Sequence, residues 1–444
     1  MNNTTNNTTT ALSVVGLGKL GLCLAVCLAE RGFDVLGVDI DPHLVDLVNR
    51  GIAPWHEPGL ADLLARHAGH GFRATTCHAD ASAHGNMTFV LVPTPSAAEG
   101  DFSNRFIASA LTSLAQSLTT DHLFVISSTV FPGAIEGALI PLIERASGRR
   151  LNEGFDVCYA PDFVALGNCI NGFLRPDLVV IGESAPAAGA RVESVYRQLC
   201  VNQPVLARMS LISAEVAKVS LNTYITMKIS FANTLANLCE RIPGADVDAI
   251  TQAIGADRRI SPHYFRGGTA FGGTCFPRDV HAFTQLAASR GAQSELIAAI
   301  DRVNTHQQDH LAEVVLNASA PGAVIGVIGA AFTNGTPVIT ESAAVKLIPV
   351  LLQNNRRVVA QDALALAALR ALFGDQLTYA ERIDECLAQC SAGVLTLRSR
   401  DLAQAVEQFV PATPLTLIDP WRQLDPTRLH PLIRHAPLGR ALSA

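Results

Sequence analysis

The stretch Ser13-Val14-Val15-Gly16-Leu17-Gly18-Lys19-Leu20-Gly21 decides the fold. A short apolar run leads into glycines spaced Gly-x-Gly-x-x-Gly, and the text that follows is apolar and helical. The first glycine permits a tight turn, the second lets a pyrophosphate reach the backbone, and the third packs helix against strand. The helix N-terminus then faces the phosphates. Such spacing is weak evidence alone. Here it sits between a strand and a helix, and a second strand, 35–39, ends on Asp39, placed to accept hydrogen bonds from an adenosine ribose. Ile40-Asp41-Pro42 brings no Arg or Lys, so a 2′-phosphate would meet two carboxylates. NAD is expected rather than NADP.

Working outward, short apolar runs alternate with helical text, with strand candidates at 13–16, 35–39, 89–92, 124–127 and 178–181. This predicts a parallel sheet with helices on both faces. Residues 214–241 then read as one long helix stopped by Pro243-Gly244, and helical text continues to about residue 311. After Pro321-Gly322 the alternation restarts at 323–329, 357–361, 393–396 and 415–419. The predicted class is α/β, with two Rossmann-like domains joined by a long central helix and a helical middle domain. The expected divisions are a disordered Asn/Thr tail (1–10), a cofactor domain (11–203), a central helical domain (204–318) and a C-terminal Rossmann-like domain (319–444). Gly326-Val327-Ile328-Gly329 lacks the triple-glycine spacing, so the last domain is read as having no second dinucleotide.

Composition narrows the function. With 444 residues, 49% hydrophobic and only 16% charged, the chain is long enough for two or three domains with cores of their own. A net charge of −6 carries no basic footprint for nucleic acid. The apolar run 11–29 contains Lys19 and three glycines and no positive segment precedes it, so neither a membrane span nor a signal peptide fits. A cytoplasmic setting with reduced thiols is the expectation. The ten cysteines show no CxxC and no zinc-ligand spacing, so no metal is expected; Cys23/Cys27 and Cys386/Cys390 read as helix packing.

One cysteine stands apart. Phe271-Gly272-Gly273-Thr274-Cys275-Phe276-Pro277-Arg278-Asp279 surrounds Cys275 with glycines, a hydroxyl and a charged pair. Glycine lets backbone approach a ligand, and nearby cations favour a thiolate. An isolated cysteine of this kind is more often a buried packing residue, so its weight rests on the rest of the chain.

With these residues in view, the sequence resembles the UDP-glucose/GDP-mannose dehydrogenase family over nearly its whole length. The resemblance is carried by 16–21, Pro54-Trp55-His56-Glu57-Pro58-Gly59-Leu60, Val92-Pro93-Thr94-Pro95, Ser128-Thr129-Val130, Pro161-Asp162-Phe163, Ala214-Glu215-Val216-Ala217-Lys218 with Asn222, Lys228-Ile229-Ser230-Phe231-Ala232-Asn233, and 271–279. It implies four-electron oxidation of a nucleotide-sugar primary alcohol to a carboxylate with NAD. Cys275 would be the nucleophile, Lys218 and Asn222 would face the reacting oxygen, Asp279 and Thr129 would position the proton relay or water, and Asp162 would occupy the general-base position. Lys218 and Asn222 lie one helical turn apart. The resemblance further implies cofactor contacts from Gly16, Gly18, Lys19, Leu20, Gly21, Asp39, Pro93, Thr94 and Thr129. It implies substrate contacts from Phe163, Val164, Leu166, Lys218, Asn222, Tyr264, Phe271, Gly272, Gly273 and Phe332, with Arg259 reaching across a subunit boundary. A homodimer or higher homo-oligomer built on the central helix follows from the same resemblance, with no nucleic-acid or membrane partner.

The departures concern the substrate. Asp162 stands where members usually carry Glu, and Leu166 where glucose-type members carry a second Glu. Thr333 and Thr340 replace the Lys and Arg expected to contact the sugar nucleotide, which removes two charge-assisted contacts. Arg266 and Arg422 are the sequence's candidates to restore that charge. Two other classes compete: a two-electron hydroxyacid-type dehydrogenase, which needs no nucleophilic cysteine, and a catalytically degenerate homologue with a binding role.

Overall fold

The computed structural model describes residues 10–95 and 102–441, so the expected tail lies outside the described residues except for Thr10. The chain forms two compact units, Met1–Ser220 and Leu221–Ala444, and their boundary falls inside one helix, Leu211–Cys239, hereafter the central helix.

The first unit is built on eight strands: β1 (Ala11–Val15), β2 (Asp34–Val38), β3 (Phe72–Thr75), β4 (Met87–Val90), β5 (His122–Ile126), β6 (Phe155–Tyr159), β7 (Leu178–Glu183) and β8 (Val205–Ser210). They lie in the order β3-β2-β1-β4-β5-β6-β7-β8. Both faces are covered, which is why the inner strands are apolar almost throughout. Along β5, Leu123 and Val125 enter the core under the helix Lys19–Glu30, and Phe124 and Ile126 enter the core on the opposite face. All pairings are parallel except β6 with β7. The connection between those two contains only the six-residue helix Cys169–Leu174. Such a helix spans about 9 Å, too short to carry the chain back along a strand of roughly 20 Å. β7 therefore enters the sheet from the end where β6 left it.

The second unit carries a sheet of six parallel strands: β9 (Val324–Ile328), β10 (Arg357–Gln361), β11 (Thr378–Ala380), β12 (Ala392–Leu395), β13 (Leu415–Asp419) and β14 (Ile433–Pro437). Their order is β11-β10-β9-β12-β13-β14. In each sheet the order reverses beside the first strand, between β1 and β4 and again between β9 and β12. Ligands of open α/β sheets bind at the carboxyl ends of the strands at such points.

The central helix has no simple apolar stripe. Instead Glu215, Lys218, Asn222, Thr226, Ser230, Asn233 and Asn237 are buried along it. Steps of three and four place these polar groups on one face. Buried polar groups need partners; Glu215, Lys218 and Asn233 find them in loops, and Asn222 and Asn237 on other helices, as described below. Among the described residues no helix is long and apolar enough to cross a membrane.

Candidate active site

In the first unit the Gly-x-Gly-x-x-Gly turn follows β1 directly. A Cβ on Gly21 would lie 1.9 Å from the Gly16 carbonyl oxygen, so no larger residue fits there. Gly18 is different: among the described residues nothing lies within 4 Å of where its Cβ would stand. That open space, at the uncapped N-terminus of the helix Lys19–Glu30, is what a pyrophosphate needs. Asp39, just past β2, accepts the Leu17 amide at 2.7 Å and the Asp41 amide at 3.1 Å. A carboxylate has about four acceptor sites, so it ties down the turn and keeps capacity for a ribose diol. Lys19 and Pro93 are exposed, Thr94 is buried, and Leu20 packs on the core. Thr129 is half-buried in the loop after β5, beside Ser128, whose hydroxyl donates to the Val92 carbonyl at 2.8 Å. These loops meet at the carboxyl ends of β1, β4 and β5, and the residues present fit a dinucleotide.

The second unit repeats the turn without the space. The Gly329 amide donates to the Gln361 carbonyl at 2.9 Å, as the Gly16 amide does to Val38 at 2.8 Å. Ala331 and Asn334 then stand where the first unit has Gly18 and Gly21. A Cβ on Gly329 would lie 2.4 Å from the Leu397 side chain. The close approach that Gly18 permits is not reproduced.

The same unit as the cofactor turn holds Asp162, Phe163 and Lys218. The Lys218 ammonium is buried, donates to the Asp162 carbonyl oxygen at 2.5 Å and lies 4.7 Å from the centre of the Phe163 ring. Oδ2 of Asp162 is buried with no hydrogen-bond partner among the described residues. Burial lifts this carboxyl to a pKa of about 7, against the opposing pull of the Lys218 charge. An acid that titrates near neutrality beside a buried cation is suited to proton transfer. Nearby, Glu215 accepts the amides of Gly133 at 2.8 Å and Ile135 at 3.0 Å, fastening the segment after Thr129 to the central helix. Val164 and Leu166, expected to touch substrate, instead pack on the core around the helix Lys19–Glu30. As apolar side chains they gain more there than in a polar pocket.

In the second unit Cys275 caps the N-terminus of the helix Phe276–Ser289. Its thiol is exposed; among the described cysteines only Cys77 shares that exposure. The Thr274 hydroxyl lies 3.6 Å from the Cys275 sulfur. One turn on, Asp279 is fully buried and accepts the Asn222 side-chain amide at 2.6 Å and the Arg278 guanidinium at 3.3 Å. The loop before Cys275 is packed too tightly for side chains: a Cβ on Gly272 would lie 1.9 Å from the Glu341 carbonyl oxygen, and one on Gly273, at φ +81, 2.7 Å from the Phe332 ring. Asn304 clamps Phe271, accepting its amide at 2.8 Å and donating to its carbonyl at 3.1 Å. Asn233 accepts the Gly268 amide at 2.8 Å, and Gln307 donates to the Gly268 carbonyl at 2.6 Å while accepting from Asn237. Tyr264 is exposed, at φ +57, with its ring edge-on to Phe276 at 6.1 Å.

Arg422 requires a correction. Expected at the substrate, its side chain is 1% exposed and paired with Asp248 at 2.8 Å. It also donates to the carbonyls of Pro420, Leu438 and Gly267 at 2.7–3.0 Å. A guanidinium has five N–H donors, and the protein takes them all. Arg422 is a brace under the Cys275 loop. Arg259 is exposed and, among the described residues, pairs with its neighbour Asp257 at 2.7 Å. Sequence reasoning passed over Arg398, an exposed residue after β12 whose pKa is lowered by burial and by the charges of Arg266, Arg400 and Arg422, against the pull of Asp248. It also missed Glu215, Asn233, Asn304 and Gln307 as clamps. The 3–4 spacing of polar residues along the long helices was the available signal.

Comparison with known proteins follows the same lines. The NAD-binding domain of the UDP-glucose/GDP-mannose dehydrogenase family matches residues 10–200, and the central domain of that family matches residues 212–306. A UDP-glucose 6-dehydrogenase from Haloferax volcanii is 34% identical over 404 residues, covering 90% of this chain and 93% of that protein. A GDP-mannose 6-dehydrogenase from Pseudomonas savastanoi pv. phaseolicola is 34% identical over 347 residues, covering 77% and 78%. Among solved structures, a UDP-glucose dehydrogenase from the hyperthermophilic archaeon Pyrobaculum islandicum superposes with a TM-score of 0.87 at 30% identity, covering 94% of this chain and 96% of the other.

Proposed function

Because the chain belongs to the UDP-glucose/GDP-mannose dehydrogenase family, we propose that it oxidises the C6 primary alcohol of a nucleotide sugar to the carboxylate in two steps, with Cys275 carrying the carbon between them. The observation that carries this reading is the exposed Cys275 thiol on a helix N-terminus, at the end of a loop clamped by the buried amide side chains of Asn233, Asn304 and Gln307. A structural cysteine needs neither exposure nor such support.

The Gly16–Gly21 turn and Asp39 would hold NAD, whose nicotinamide supplies the hydride acceptor for each oxidation. Asp162, titrating near neutrality, takes the hydroxyl proton of the alcohol, and the buried Lys218 ammonium steadies the oxygen as its charge grows. The Cys275 thiolate adds to the aldehyde carbon, forming a C–S bond and a thiohemiacetal. Loss of the second hydride equivalent converts it to a thioester, and water then breaks the C–S bond to release the carboxylate and restore the thiol. Buried Asp279, set by Asn222, holds the first turn of the Cys275 helix in place for both additions. The first-turn amides of that helix favour the oxyanion of each tetrahedral adduct.

The relatives include UDP-glucose and GDP-mannose enzymes, and the nucleotide here is read as either. Arg266 and Arg398 supply the positive charge that Thr333 and Thr340 do not. Self-association through the central helix is part of the same proposal, supported by exposed Tyr224, Phe231 and Leu238 at seven-residue spacing. The test is to incubate the pure protein with NAD+ and a panel of UDP- and GDP-sugars and count NADH per sugar consumed. Two supports four-electron oxidation, one supports a two-electron dehydrogenase, and none across the panel removes the enzyme reading.

A further inference from the structure

The motif Pro54–Leu60 has no part in the chemistry above, yet it contains a buried carboxylate. Glu57 is 7% exposed. Its Oε2 accepts the Gly167 amide at 3.0 Å and its Oε1 accepts the Cys169 amide at 2.8 Å, contacts that join segments 110 and 112 residues apart. Nothing in those bonds serves Glu57's own surroundings, because its turn is already fixed. The Leu60 amide donates to the Glu57 carbonyl at 3.1 Å, Gly59 turns the chain at φ +81, and Leu60 and Leu64 are fully buried.

The loop that Glu57 grips is the one that carries Asp162 and Phe163. It is held at its start by Lys218, which takes the Asp162 carbonyl, and along its middle by Val164 and Leu166 in the core. Glu57 closes its far end. We propose that Glu57 is a positioning residue for the oxidation: by fixing the 162–169 loop it keeps the Asp162 carboxyl and the Phe163 ring set against Lys218. This rests on the reading of Asp162 and Lys218 given above.

A carboxylate suits the task because both of its atoms accept. Glutamine has one acceptor, so its NH2 would confront one of the two backbone amides, and aspartate is a methylene too short to bridge both. A displacement of the order of 1 Å at reacting groups costs roughly 100-fold in rate.

The experiment compares wild type, Glu57→Gln and Glu57→Asp by hydrogen–deuterium exchange and by steady-state kinetics on the nucleotide sugar that the panel identifies. In both variants exchange in peptides covering 162–170 is expected to accelerate, while peptides covering 22–28 stay unchanged. In Glu57→Gln, kcat is expected to fall on the order of 10- to 100-fold, with KM for NAD+ within about twofold of wild type. Unchanged exchange in the loop overturns the brace. Faster exchange with unaltered kcat overturns the positioning role, leaving a purely structural contact. A wild type inactive across the panel defeats the dehydrogenase reading separately; the exchange measurement then decides alone whether Glu57 holds the loop.

Discussion

The Asn222 side-chain amide donates to the Asp279 carboxylate at 2.6 Å, and both residues are buried. The sequence suggested that Asn222 would present itself to substrate beside Lys218. One of its two N–H donors is committed to a carboxylate one turn beyond Cys275, so the central helix fixes the nucleophile's helix through this bond.

Removing the bond leaves a buried carboxylate short of a donor, which costs about 1–3 kcal/mol. Asn222→Ala is expected to lose that much in urea unfolding, and Asn222→Asp more, because it sets two carboxylates at hydrogen-bond distance. Both variants should also lose turnover. Equal stability of Asn222→Asp and wild type would show that the pair carries no load.

As the proposed base, Asp162 is expected to make activity depend on pH. Burial raises its pKa to about 7, so the carboxylate forms only as pH rises through that value. Acting as base, it should give kcat/KM a rising limb centred near pH 7, and Asp162→Asn should abolish that limb along with most activity. Stability has the opposite sign. A carboxyl whose folded pKa lies above its unfolded value favours folding most below the unfolded pKa, and that contribution is lost as pH rises through about 7. Thermal unfolding of Asp162→Asn should therefore compare better with wild type at pH 8 than at pH 5.

The Arg422 brace separates structure from substrate binding. Removing this buried guanidinium leaves the carbonyls of Pro420, Leu438 and Gly267 short of a donor, at about 1–3 kcal/mol for an unsatisfied group, so Arg422→Gln is expected to lower the melting temperature. At a temperature where the variant stays folded, KM for the nucleotide sugar should remain within about threefold of wild type. A large rise in KM with unaltered melting would return Arg422 to the substrate.

Much of the architecture was legible because buried parallel strands write themselves as apolar runs. β1, β2, β4, β5, β7, β9, β10, β12 and β13 all lie on or within a few residues of the expected positions. Of the five strands not singled out, β3, β8, β11 and β14 are sheet edges, where one side meets solvent or loops and polar residues such as Arg73, Arg208 and Arg434 are tolerated. The fifth, β6, is interior but interrupted by Asp156. The antiparallel β6/β7 pair depends on the length of one short helix, which periodicity does not report. At the site, Gly21 and Gly272 were readable because close backbone contact dictates glycine, Gly273 because of its positive φ, and Gly18 because a phosphate needs the open space beside it. Arg422 was misread because charge type says nothing of partners: Asp248 lies 174 residues away in sequence.

The proposed reaction turns on the bond between Cys275 and the sugar carbon. The most direct measurement is the number of NADH formed per sugar by Cys275→Ser, beside wild type, with the substrate that the panel identifies. Wild type should form two NADH and one carboxylate. Cys275→Ser should form at most one NADH and almost no carboxylate. Two NADH per sugar from Cys275→Ser at the wild-type rate would contradict it.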